Sequence, residues 1–162
     1  MTPALAKDVP LSAGTYVLIL QVSSSRRARI GALGSIDLAP GFYAYVGSAR
    51  GPGGLAARVA HHRRRSASPH WHIDYLRRHA SLREVWLTAS RSHLEHCWAQ
   101  ALASASHTRI PLERFGASDC SCASHLFRLH ARHHLSRFRS RLLDASLSAS
   151  GGSREIVRWV AG

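Results

Sequence analysis

The run "GFYAYVGSARGPGGLAARVAHH", Gly41 to His62, sets two tyrosines, a glycine-rich loop and an arginine–histidine segment in immediate succession. Such residues suit an anion. Glycines let a backbone come close to a phosphate, a helix start offers unpaired N–H groups, and an arginine fork grips two oxygens. Arg58 and His62 stand at i, i+4, as do Leu55 and Val59 on a neighbouring stripe, which is helical periodicity. His61 points elsewhere, because adjacent helical residues diverge by about 100°. The plainer reading of the same run is a strand, a turn and a surface helix. No Gly-Lys-Ser/Thr follows, so the loop is not a Walker A motif.

Three further groups carry chemistry. Tyr16 and Tyr45 fall on strand-like runs that would pair, so their hydroxyls converge on one face, with Tyr43 sharing the face of Tyr45; amphipathic packing is the competing reading. "HWHIDYL" sets His70 and His72 around Trp71. The histidines suit a metal or a phosphate and the indole suits stacking on a base, while an aromatic staple between helix and sheet explains them equally well. "SDCSCASH" offers Cys120, Cys122 and His125 as C-x-C-x-x-H. These are ligands for zinc, but no fourth is evident and the spacing is not that of a finger, which favours a buried structural corner over a metal. Ser92-x-x-Glu95 reads as a helix capping box. The residues alone put that cap ahead of Glu95 as a ligand for a hard cation.

These groups need elements to hold them. "TYVLILQV", "ARIGALGSIDL", "FYAYVGSA" and "LREVWLT" are strand candidates, with turns at Ser23 to Arg27 and at Pro40-Gly41; "HLFRLHAR" is another strand candidate. Helices are expected from Gly54 to about Arg65, after "HWH", and from Ser92 to about Ala105, where Leu94, Trp98, Ala101 and Leu102 share a side. The expected architecture is α+β, a small antiparallel sheet flanked by helices. It divides into a lead (1–13), one domain (14–135) and a Ser/Arg-rich extension (136–162). The first part of that extension reads as a mobile arm, and "REIVRWV" near its end as docking back.

The 162 residues carry 22 Lys+Arg against 9 Asp+Glu, a formal charge of +13, which favours a polyanionic partner such as nucleic acid. Only Lys7 is a lysine, a bias that GC-rich coding explains in part; the scarcity of acids it does not explain. No apolar run is long enough to span a membrane, the start lacks the pattern of a signal peptide, and three cysteines suggest no disulfide framework. A soluble, cytoplasmic protein is expected.

Gly14-Thr15-Tyr16, Tyr45-Val46-Gly47, Arg58 and Glu95, in that order, resemble the GIY-YIG nuclease family. The wider blocks "GFYAYVGSARGPGGL", "HWHIDYL", "LEHCWAQAL" and "FGASDCSCASHLF" are similar to its Uri-type branch. The resemblance implies a metal-dependent endonuclease acting on DNA, with RNA left open. It implies that Glu95 ligates Mg²⁺ or Mn²⁺, that Arg58 binds the scissile phosphate, and that His62 assists proton transfer or phosphate binding. It also implies that Tyr16 and Tyr45 position the attacking water. Gly47 and Ser48 then form the floor of the site, and the loop through Gly53 and Gly54 its rim. Arg50, Arg63, His70, Trp71 and His72 are further nucleic-acid contacts. A non-catalytic nucleic-acid-binding module and a zinc-stabilised interaction protein are the competing classes.

Overall fold

The computed structural model describes residues 9–150 and 155–161. Along the chain run β1 (Gly14–Val22), β2 (Arg26–Ile30), β3 (Gly34–Leu38), β4 (Gly41–Ala49), α1 (Gly54–Arg63) and α2 (His72–Arg77). They are followed by β5 (Ser81–Ala89), α3 (Glu95–Ala103), β6 (Thr108–Arg109), β7 (Leu126–Leu129), α4 (Leu135–Ser150) and β8 (Val157–Val160). The fold is α+β. Six strands form one antiparallel sheet in the order β6-β7-β4-β1-β5-β8, and β2 and β3 form a separate hairpin.

The near-continuous apolar run of β1 is that of a strand covered on both faces. Tyr16, Leu18 and Leu20 point into one core with Tyr43, Tyr45, Leu55, Val59, Ile73 and the hairpin. Val17 and Ile19 point into the other with Ala44, Val46, Trp86, Trp98 and α4. Two helices therefore cover one face, and α3 with α4 cover the opposite one. Arg26 and Arg27, expected in a turn, lie in β2, because the hairpin needs only their alternate neighbours Ala28 and Ile30 to face inward.

The Ser/Arg-rich stretch expected as a mobile arm is instead a helix. Leu135, Phe138, Leu142 and Ser146 are buried on one stripe of α4, and Trp98 Nε1 donates to Ser146 Oγ at 2.7 Å. Abundant serine and arginine line the other faces of that helix and hide the pattern in composition. The part of the arm at 151–152 lies outside the described residues, as do the first eight residues, on which the expected lack of a leader rests. Residues 157–160 pair with β5, where Arg158 grips Glu84 through two bonds of 2.7 and 2.8 Å. Among the described residues no helix is long and apolar enough to cross a membrane, and all three cysteines are free.

Candidate functional site

One end of the β1–β4 pair carries the site. In the antiparallel register Tyr16 lies opposite Gly47, and Leu18 opposite Tyr45, so the two tyrosines stand diagonally on one face. The ring of Tyr16 crosses Gly47 so closely that a Cβ there would sit 2.4 Å from its hydroxyl oxygen. Glycine at position 47 is thus a steric requirement for the placement of Tyr16. Tyr43 shares the face but not the site: its hydroxyl donates to the Ala39 carbonyl at 2.9 Å and accepts from the Ala39 amide.

α1 brings Arg58 and His62 onto the same side. The Tyr16 hydroxyl and His62 Nε2 share a hydrogen bond of 2.7 Å in a buried setting. Burial drives the His62 pKa down to about 3, with His61 and Arg58 adding to the effect. Burial also holds Tyr16 and Tyr45 well above the usual tyrosine range, against the pull of Arg58. The pair is therefore neutral at physiological pH. Among the described residues His62 Nδ1 is buried without a hydrogen-bond partner, so the bond to Tyr16 holds the ring. His61 turns away to pair with Asp74 at 2.8 Å.

Glu95 arrives from the other layer. It is the first residue of α3, whose N-cap is Leu94, and among the described residues no side chain caps that helix, so the Ser92-x-x-Glu95 capping box does not form. Glu95 instead faces β4 and the loop before β7. Its Oε1 lies 3.2 Å from His125 Nδ1, a short contact off hydrogen-bond alignment. Burial would raise its pKa, but His125 and Ser48 beside it outweigh that and hold the carboxyl below its usual value.

A cavity of about 450 Å³ collects these groups: Tyr16, Tyr45, Ser48, Arg58, His62 and Glu95 all line it. Trp71, His93, His96 and Asp119 line it too, with Ile73 and Gly116. The Arg58 guanidinium lies 4.2 Å from the centroid of the Trp71 ring, and among the described residues it has no ion-pair partner. Its donors remain open to an anion. Trp71 is 39% exposed and flanked edgewise by His61 and His70, a shelf at the mouth of the cavity.

Other expected contacts are placed differently. The first three amides of α1 are already taken. The N–H groups of Gly54, Leu55 and Ala56 donate to the carbonyls of Gly51, Ser12 and Pro10. At Gly54 (φ +53°) a Cβ would meet the Leu11 and Ser12 carbonyl oxygens at 2.3 Å, so this glycine admits the crossing of the lead segment rather than an anion. Arg50 Nη2 donates to the Ser92 carbonyl at 2.7 Å and braces the turn before Glu95. Arg63 lies in a separate groove with Arg65, Arg77 and Trp159. His70 and His72 do not converge as ligands: His72 Nδ1 accepts the Gly116 amide at 2.9 Å, while His70 edges a neighbouring hollow with Trp71 and Asp119.

A family model described as "Domain of unknown function DUF123" matches residues 15–147. The chain belongs to this family. The DUF123 match runs from β1 into α4 and takes in every residue lining the cavity. No curated protein and no solved structure matches the chain.

Sequence reasoning passed over two residues in this DUF123 region. Asp74 organises the "HWHID" turn: Oδ2 accepts the His70 and Trp71 amides, each at 3.0 Å, and Oδ1 pairs with His61. Its place three residues into α2 was the signal. His96 is the other. It meets Cys120, Cys122 and His125 with all four ligand atoms within 4.8 Å of one another. Nothing in the spacing of C-x-C-x-x-H points to a residue on α3.

Proposed function

We propose that the protein is a divalent-metal-dependent endonuclease that hydrolyses phosphodiester bonds in DNA, with single-stranded or branched DNA favoured. The carrying observation is that Tyr16, Tyr45, Arg58, His62 and Glu95 line one polar cavity on a strongly basic chain. The sequence resemblance to GIY-YIG nucleases supports the same reading.

The donor set fits a hard cation. Glu95 is an ionised carboxylate, and Ser48 and Tyr45 beside the same space add oxygen, as Mg²⁺ or Mn²⁺ prefers. Glu95 would hold such an ion, which would supply Lewis acidity to the phosphoryl oxygens and to a bound water. Arg58 provides fixed positive charge where the phosphoryl oxygens gain negative charge, and the low-dielectric wall strengthens that interaction. His62 holds the Tyr16 hydroxyl in one direction, so that its oxygen orients a water molecule. With both groups held neutral by burial, the 2.7 Å bond serves to orient the Tyr16 oxygen rather than to carry its proton away. Trp71, backed by Arg58, offers a face on which an unpaired base stacks.

The test is cleavage of labelled single-stranded, duplex and branched DNA in Mg²⁺, Mn²⁺ or EDTA, with Arg58→Ala and Glu95→Gln alongside. Metal-dependent cutting lost in both variants is expected. Binding without cutting under every metal would sink the enzymatic reading and leave a nucleic-acid-binding module.

A further inference from the structure

Between β6 and β7 the chain runs from 110 to 125 without regular secondary structure, yet it is tightly fixed. His125 N–H donates to the Phe115 carbonyl at 2.7 Å, Arg114 N–H to the Ala123 carbonyl at 2.7 Å, and Arg114 Nη1 to the Cys122 carbonyl at 2.9 Å. Val46 N–H in turn donates to the His125 carbonyl and ties this loop to β4. Loops of such length in a compact domain are uncommon unless they carry function. Phe115, Ala117 and Ser124 are buried along it, and so are Cys122 and His125, with Cys120 half-buried beside them. From across the site, the second residue of α3 delivers His96.

We propose that Cys120, Cys122, His125 and His96 form a structural zinc site, and that His125 thereby braces Glu95. Tetrahedral zinc with Zn–S near 2.3 Å and Zn–N near 2.0 Å sets its ligand atoms about 3.3–3.8 Å apart. Cys120 Sγ and His125 Nε2 already stand at 3.5 Å, and all four donors fall within 4.8 Å, so closing on an ion asks for shifts of about 1 Å or less. Four ligands close the shell, as in structural sites that leave no open position for substrate. With Nε2 facing the metal, the other ring nitrogen of His125 lies 3.2 Å from the Glu95 carboxylate, and the small turn of the ring needed to close on an ion would align it for the carboxylate–histidine–metal arrangement that fixes a ligating ring. The site also joins α3 to the loop before β7 and so sets where Glu95 sits. Zinc binding itself does not depend on the nuclease reading; the consequence for Glu95 does.

The experiment measures metal on the intact chain purified without chelators, then replaces zinc with Co²⁺ and records the visible and near-ultraviolet spectrum. About one zinc per chain and a thiolate-to-cobalt charge-transfer band are expected, unchanged in Cys97→Ser and lost in Cys122→Ser. His96→Asn, at an exposed position, should weaken metal binding by more than about 10-fold. Glu95→Gln should keep the metal whatever it does to cleavage. A folded wild-type protein with no zinc and a featureless cobalt spectrum overturns the proposal. So does zinc that persists in His96→Asn and Cys120→Ser but departs in Glu95→Gln, since that ion would sit in the cavity.

Discussion

The Tyr16 hydroxyl and His62 Nε2 lie 2.7 Å apart in a pocket where burial keeps both groups uncharged. The bond links a strand to a helix 46 residues away and aims one oxygen at the cavity. Tyr16→Phe should leave the fold intact, cost about 1–3 kcal/mol because His62 loses its partner, and slow cleavage by about 10²–10⁴-fold. Chemical denaturation beside a single-turnover assay separates the two effects.

Gly47→Ala places a methyl 2.4–2.5 Å from the Tyr16 oxygen and its ring carbon. Overpacking of this kind costs about 1–3 kcal/mol and should displace the tyrosine, abolishing cleavage. Because the clash is with that one ring, Gly47→Ala should cost less stability in a Tyr16→Ala background than in the wild type, without restoring activity. A double-mutant cycle with no coupling between the two sites would show the argument to be wrong.

Stability should fall with acid in a defined window. His62 has a folded pKa near 3 against about 6.5 when unfolded, so between those values the unfolded chain binds a proton that the native site refuses. The contribution is complete above about pH 6.5 and is lost as pH drops toward 3, at up to about 1.4 kcal/mol per pH unit. Urea melts of wild type and His62→Gln across this range should converge as pH falls.

Trp71→Ala should weaken binding of single-stranded DNA by about 1–3 kcal/mol with little effect on duplex, as loss of a stacking face predicts. Fluorescence anisotropy on both substrates at one salt concentration measures the difference.

At the sheet edge, Arg158→Ala leaves the buried Glu84 carboxylate, among the described residues, with Trp86 Nε1 as its one side-chain donor. A loss of about 1–3 kcal/mol is expected. Arg158 and Trp86 also keep the Glu84 pKa below its usual value, so this stabilisation fades in acid as Glu84 protonates. Thermal melts at neutral and acid pH check both points.

What the sequence disclosed follows from the range over which its signals act. Strand alternation places Tyr16 and Tyr45 on one face, and i, i+4 spacing places Arg58 with His62, because both are local rules. The capping box at Ser92 was equally local and failed: Glu95 finds His125 and Ser48 from distant elements, a competition invisible to spacing. The amides of α1 were taken by Pro10 and Ser12 for the same reason. His96 escaped notice because its partners lie on a loop that only the fold brings near. In α4, the apolar stripe was present but outnumbered by serine and arginine.

The sheet divides the protein into two cores, and the site draws on both: two tyrosines, Arg58 and His62 from one, Glu95 from the other. On the proposed nuclease reading, competence is then a property of how the layers dock, not of either alone. A partial opening that detaches α3 and α4 would separate Glu95 from its companions while the tyrosine core stays closed. Such an opening needs less free energy than complete unfolding. Heat should therefore switch the protein off reversibly below its melting temperature, with amides of α3 and α4 exchanging ahead of those in β1.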